Sequence, residues 1–490
     1  MYRSVAQLDN LIGLLAAYFP QQCTRLQLPE TSVNGNTVYA LRMRAGAGEN
    51  RRGVLLVGGT HARELMNPDA LADLAVDLIV SYLGGTDLVL GGRTWTAFDI
   101  KIILETLDLY LLFCSNPDGR QYVMTVDNMW RKNRRVNPGT SCIGVDLNRN
   151  SDILWGVTEG QTSCSPCADT YVGPAVFSEP ETRNVRYLMD NYRIDCFVDV
   201  HSYSELVLYP WDHAPTQTAD SSEVFTTLPT GTCMPIADGN YKEYMTPQDL
   251  QRFQTVAGRI VDAIAAVRGR VYTPEPSVDL YPTTGTLSDY AYGRHIADPS
   301  HGKVYGYTFE TGPYVGNAPD SFHPADPEPI KLEVKSGLLA LIQQCICAIE
   351  LIGTRLLGRD DEVQALRVVR DQLLGTTPAG REWILLFERV QAPLTGIVLA
   401  DERLARQAAA VVAAAGRLAA SEEAILGRDE AGQAAALLDE LEGRVTEPGL
   451  RRDLRLVRAQ LARGEGRPIS EMLRTLMAQG PEASYGTASP

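Results

Sequence analysis

Four apolar runs in the first 350 residues constrain what this chain can fold into: Val54–Val57, Ile102–Phe113, Cys196–Val200 and Val304–Phe309. They are rich in β-branched and aromatic residues and alternate with helical stretches. That is the pattern of an α/β fold, a mixed, mostly parallel sheet with helices on both faces. Thr60-His61 follows the first run, Ser115-Asn116-Pro117-Asp118-Gly119 the second, His201-Ser202 the third and Glu310-Thr311-Gly312 the fourth. In open α/β sheets ligands gather beyond the carboxyl ends of the strands. Imidazole and carboxylate groups therefore converge on one edge, where His61, Glu64 and His201 can hold a catalytic metal and leave a fourth position for water.

The segment His61-Ala62-Arg63-Glu64 says little alone, because a His close to a Glu is commonly a surface or capping pair; its context carries the argument. A length of 490 residues suggests a large domain with a smaller one. Apolar residues make up 44% and charged residues 21%, the balance of a soluble globular protein, and no run reaches the ~18–20 apolar residues of a membrane span. A formal charge of −15, with no stripe of Lys and Arg, argues against a polyanionic partner such as nucleic acid. Leu11–Phe19 has the length of a signal-peptide apolar region. Val5, Leu8, Leu11, Ile12 and Leu15 nevertheless fall at helical spacing around Asp9, so an amphipathic helix and a cytoplasmic location are expected.

Nine cysteines leave at least one unpaired, and in a reducing compartment most would be buried thiols. Cys164-Ser165-Pro166-Cys167 has the spacing of half a zinc or redox motif, without a second half. Cys142 and Cys167 could instead close a loop disulfide, and free thiols are an equal alternative.

Beyond these runs, a series of separated motifs agrees in order. It comprises Gly58-Gly59-Thr60-His61-Ala62-Arg63-Glu64, Asn116-Pro117-Asp118-Gly119, Met129-Trp130-Arg131-Lys132-Asn133-Arg134, Gly144-Val145-Asp146-Leu147-Asn148-Arg149-Asn150 and Ser178-Glu179-Pro180-Glu181. His201-Ser202-Tyr203-Ser204, Leu280-Tyr281 through Asp289-Tyr290, and Thr308-Phe309-Glu310 complete it. With these motifs the chain resembles the zinc carboxypeptidases of the M14 type, the carboxypeptidase A-like metallopeptidases, from near Tyr2 to about residue 350.

The resemblance implies one zinc ion on His61, Glu64 and His201, with Asp146 accepting the remaining N–H of His61. It implies Glu310 as the general base and Arg131 as the cation facing the oxyanion. Asn148 and Arg149 would grip the free carboxylate of a peptide or protein C-terminus. Tyr281 would close over that carboxylate, and Arg63 would contact substrate upstream of the cut. Ser288 and Asp212 line the position of the terminal side chain. Ser288 decides nothing about specificity, whereas a buried Asp212 would favour a cationic end. His213, His295, His301 and His323 lie in loops and match no ligand position. A non-catalytic scaffold of the same fold, and a peptidoglycan-peptide or amide hydrolase, are the alternative readings.

After residue 350 Ala, Leu, Arg and Glu dominate. Leu450, Leu454, Val457 and Leu461 recur at helical spacing, Gln407–Ala415 is an alanine-rich helical segment, Thr446-Glu447-Pro448 offers a helix start and Gly464 a stop. The expected organisation is a catalytic domain over 1–352, an all-α helical bundle over 353–479 and a disordered polar tail over 480–490. The helices either bury their stripes against one another or dock a protein partner or a second copy.

Overall fold

The computed structural model describes all residues except 1, 47–50, 229–230, 347–364, 367, 400, 422, 446 and 482–490. Its chain divides into two compact units, Met1–Cys345 and Ile346–Pro490. The division precedes the expected boundary at 352/353, which lies outside the described residues, as does the tail from 482 onward.

The first unit is built on eight strands: β1 (Cys23–Thr31), β2 (Thr37–Met43), β3 (Gly53–Gly58), β4 (Asp108–Leu112), β5 (Ile194–His201), β6 (Leu206–Tyr209), β7 (Thr273–Pro276) and β8 (Tyr305–Glu310). Their order across the sheet is β1-β2-β4-β3-β5-β8-β6-β7. The four central strands β4, β3, β5 and β8 run parallel, while β1 with β2, β2 with β4, and β6 with β8 pair antiparallel. Every residue of β3 is buried, as the unbroken apolar run Val54–Val57 requires of a strand covered on both faces. The same four strands bring their carboxyl ends to one edge, so His61, His201 and Glu310 meet there by topology.

Helices α1 (Val5–Tyr18), α2 (Met66–Gly84), α3 (Pro180–Asn191), α4 (Pro247–Arg268), α5 (Leu287–Ala297) and α6 (Glu328–Gln344) belong to this unit. In α1, Leu8, Ile12 and Leu15 face inward, and Ser4 and Gln7 form a reciprocal capping box at its start, so this segment is a helix of the domain. One expected run is corrected. Ile102–Thr106 lies in a helix that begins at Ala97, and only Asp108–Leu112 is strand. Thr96 and Asp99 cap each other at the helix start, a local signal that outweighs the β-branched composition that follows.

The cysteines pair as Cys142–Cys167, Cys164–Cys233 and Cys196–Cys345, across 25, 69 and 149 residues. The loop disulfide is therefore present, and the expectation of mostly free thiols is corrected. Cys164 and Cys167 are bonded to different partners and cannot form half a zinc motif. Cys23 and Cys114 are buried thiols, and Cys347 lies outside the described residues. Closing loops this long restricts the unfolded chain by about 3 kcal/mol or more per bridge on the chain-entropy account.

In the second unit five of the helices are α7 (Pro378–Leu399), α8 (Glu402–Ala419), α9 (Arg428–Arg444), α10 (Pro448–Gly464) and α11 (Ile469–Ala478). Pro448 and Gly464 bound α10 as the spacing predicts; Thr446 lies outside the described residues. Leu450 and Leu454 enter a core with Trp383, Leu386, Leu404, Leu437 and Leu441, with Val457 packed against it. The apolar stripes bury one another. Among the described residues no helix is long and apolar enough to cross a membrane.

Candidate metal centre

His61 lies three residues beyond the end of β3 and His201 is the last residue of β5, the strand paired in parallel beside it. A tight turn, with the Glu64 N–H donating to the His61 carbonyl at 3.2 Å, turns Glu64 back toward the same point. His61 Nδ1 lies 2.8 Å from Glu64 Oε1, His201 Nδ1 lies 3.0 Å from Glu64 Oε2, and the two Nδ1 atoms are 3.0 Å apart. All three side chains are buried, and among the described residues they are the one group spaced to hold a metal ion.

The far side of each imidazole explains that orientation. His61 Nε2 lies 3.1 Å from Asp146 Oδ1, and His201 Nε2 lies 2.8 Å from Asp199 Oδ2. A carboxylate at Nε2 keeps the proton on that nitrogen and leaves the Nδ1 lone pair for a cation. Two nitrogen lone pairs and a carboxylate directed at one another repel unless a cation lies between them. The donor set, two imidazoles and one carboxylate, suits zinc. With no cation between them, the same groups attract protons instead: burial would raise the Glu64 carboxyl, but His61 and His201 outweigh it and hold it well below the ordinary range. Burial would lower His201, yet Asp199 and Glu64 hold it well above its ordinary value.

Asp146 is fully buried and also accepts from Arg131, whose Nη2 and Nε lie 2.9 and 3.1 Å from its Oδ2. One carboxylate thus orients both a metal-facing imidazole and the cation beside it. Burial would raise Asp146, and Arg131, Arg149 and His61 together pull it well below the usual carboxylate range. Glu310 ends β8 directly opposite His201 in the sheet register. Burial, reinforced by Glu64 and Asp199 and opposed by His201 and Arg131, pushes its carboxyl up to about 8. A bound dication would act in the opposite direction.

The residues assigned to the substrate's carboxylate form a second group. Arg149 is 1% exposed and is held by the carbonyls of Gln161 and Asn148, at 2.8 and 2.6 Å. Asn148 is tied to Asp146 through its own N–H at 3.0 Å, and its Oδ1 accepts from the Leu287 N–H at 2.9 Å, at the start of α5. Tyr281 is half-buried and lies near Arg131. Arg63 donates to the Met129 carbonyl at 3.3 Å, with its guanidinium 4.5 Å over the Phe322 ring.

Asp212 and Ser288 come together. Asp212 is 3% exposed, the Ser288 hydroxyl donates to its Oδ2 at 2.7 Å, and the Thr286 hydroxyl donates to the same oxygen. The Asp212 N–H is shared between the two carboxylate oxygens of Asp289, at 3.1 and 3.2 Å.

Two functional neighbours escaped the sequence reading. Asp199 stands two residues before His201 on the same strand, and side chains at i and i+2 share a face, so the spacing was a usable signal. His213 is fully buried between Asp289 and Glu243 and is not a plain loop residue. Neither partner is near it in sequence.

Residues 8–326 match the zinc carboxypeptidase family, peptidase M14. The chain belongs to that family. It is 29% identical over 311 residues to carboxypeptidase A4 of Mus musculus, covering 63% of this chain and 62% of that protein. It is 30% identical over 283 residues to carboxypeptidase B of Bos taurus, covering 57% and 56%. The chain thus matches about 60% of the length of these relatives. Among solved structures, the thrombin activatable fibrinolysis inhibitor superposes with a TM-score of 0.54 at 22% identity, covering 70% of this chain and 74% of that one. Carboxypeptidase A from Helicoverpa armigera gives 0.52 at 23%, with coverage of 70% and 74%. The first unit has the carboxypeptidase fold.

Proposed function

We propose that the chain is a zinc-dependent metallocarboxypeptidase that removes single residues from the C-termini of peptides. The observation that carries this reading is the convergence of His61 Nδ1, His201 Nδ1 and Glu64 on one point, with both distal nitrogens against carboxylates. Zinc held there would lower the pKa of a bound water toward ~7 and polarise the scissile carbonyl. Glu310, across from His201, accepts the proton of the attacking water and returns it to the leaving amine. Arg131, fixed by Asp146, faces the oxyanion that develops as the carbonyl is attacked. Arg149 and Asn148 hold the substrate's free carboxylate, and Tyr281 closes over it. Arg63 contacts the residues upstream.

The buried Asp212 favours a Lys or Arg end, because a carboxylate lined by two hydroxyl donors is complemented by a cation. A scaffold that had abandoned catalysis has no reason to retain the ligands, the base and both arginines together. The three disulfides favour an oxidising compartment over the cytoplasmic location expected from the amino-terminal segment.

The test is a panel of peptides that differ only in their last residue, incubated with and without a chelator and followed by product mass. Release of one terminal residue, abolished by chelation and restored by zinc, is expected. Internal cleavage, or release indifferent to zinc, overturns the reading. A C-terminally amidated peptide should be a poor substrate if Arg149 reads the carboxylate.

A further inference from the structure

The pocket around Asp212 has a buried brace that the chemistry above does not use. His213 Nδ1 lies 2.9 Å from Asp289 Oδ2 and its Nε2 lies 3.0 Å from Glu243 Oε2, all three side chains being fully buried. Glu243 is committed on both oxygens: Oε1 accepts the Phe225 N–H at 3.1 Å and Oε2 the Tyr241 hydroxyl at 2.5 Å. Ionised carboxylates only accept, and a neutral imidazole has one N–H, so a neutral ring would turn a bare lone pair on one of its partners. An imidazolium satisfies both.

The brace leads directly to the pocket. Asp289, on α5, receives His213 on the oxygen that also takes a share of the Asp212 N–H. Ser288 precedes Asp289 on that helix and donates to Asp212. The groups facing His213 are thus Asp289 from α5, Glu243 and Tyr241 from the segment 241–244, and Asp212 beside it. Asp212 and Asp289 are buried acids close enough to repel each other, and a cation against one of them lets both stay in place.

We propose that His213 is a positioning residue for the specificity pocket: as an imidazolium it bridges Glu243 and Asp289, and so holds the Asp212 carboxylate and the Ser288 hydroxyl where a cationic terminal side chain is read. This rests on the reading of Asp212 as the pocket acid.

The experiment compares kcat and KM for peptides ending in Arg and in Leu, using the zinc-loaded full chain, Asp212→Asn and His213→Gln. The wild type should favour the Arg end, and Asp212→Asn should lose that preference. His213→Gln should raise KM for the Arg end by roughly tenfold or more, as displaced binding groups do, with kcat little changed and the Leu end unaffected. Wild-type constants in His213→Gln, with preference still lost in Asp212→Asn, would overturn the positioning role and leave the Asp212 reading intact. No preference in the wild type and no effect of Asp212→Asn would overturn both. Should His213→Gln fail to fold, nitrogen-15 histidine spectra of the zinc-loaded wild type decide: a slowly exchanging ring protonated on both nitrogens at neutral pH supports the brace. Its absence overturns the brace, since zinc would occupy Nδ1 of His61 and His201.

Discussion

The metal centre and the pocket brace are built from the same parts, yet they end in opposite states. His61 and His201 each turn one ring nitrogen to a carboxylate, Asp146 or Asp199, and the other toward Glu64. His213 also has a carboxylate at each nitrogen, but shares neither with a second imidazole. In the first case the outer acid fixes the tautomer and leaves lone pairs aimed at a common point, which only a cation satisfies. In the second the ring itself carries the charge. What separates a site that binds from a brace that holds is the sharing: at the metal centre two rings face one carboxylate, Glu64, and each other's Nδ1 at 3.0 Å, whereas His213 has two carboxylates to itself.

The sharpest test of the open state removes the base and keeps the ligands. Glu310→Gln should lower kcat by about 10²–10⁴, the usual worth of a general base, while elemental analysis still finds one zinc per chain. A fully active variant would remove Glu310 from the mechanism. Arg131→Ala should come next, with kcat at saturating zinc falling by roughly 10²–10³. Because Arg131 is also the partner of Asp146, this variant should lose some zinc affinity as well. Arg131→Lys should recover little, since a point charge cannot donate from both the Nε and Nη2 positions.

The two clusters were unequally legible in the sequence. His61 and Glu64 share one turn, and His201 ends an apolar run that the sheet places beside it, so local spacing and strand order were enough. Asp199 was readable by the same strand alternation and was overlooked. His213 could not be read, because its partners lie 30 and 76 residues away and only the packing of α5 and the segment 241–244 brings them together. The same distance hid the Cys164–Cys233 and Cys196–Cys345 bridges, whereas the shorter Cys142–Cys167 loop was within reach. In the helical unit the spacing of Leu450, Leu454 and Val457 announced the helix and its apolar face. Which faces meet depended on contacts that periodicity does not encode.

A smaller effect tests whether the clusters are independent. Asp199→Asn and Asp146→Asn should each weaken zinc binding by about 10–100-fold in a chelator competition, because the imidazole loses the acid that sets its tautomer. Glu243→Gln should leave zinc affinity unchanged, since its cluster serves the pocket. A zinc defect in Glu243→Gln would mean that the brace and the metal centre respond as one network.

The smallest effect separates a charged His213 from a neutral one through the pH dependence of stability. Burial would lower His213, but its bonds to Asp289 and Glu243 outweigh that and hold it at about 9. A base raised in the folded state adds stability that is fully present below its ordinary pKa of about 6.5 and is lost as the pH climbs through 9. The cost of His213→Gln, measured as the shift in Tm of the zinc-loaded chain, should therefore be largest near pH 6, on the order of a few kcal/mol, and should shrink between about pH 7 and 9. A cost that stays flat across that window would mean that the ring is neutral and bonded through one N–H only. The brace would then orient the pocket by shape alone, and the contrast with the metal centre would be one of geometry without charge.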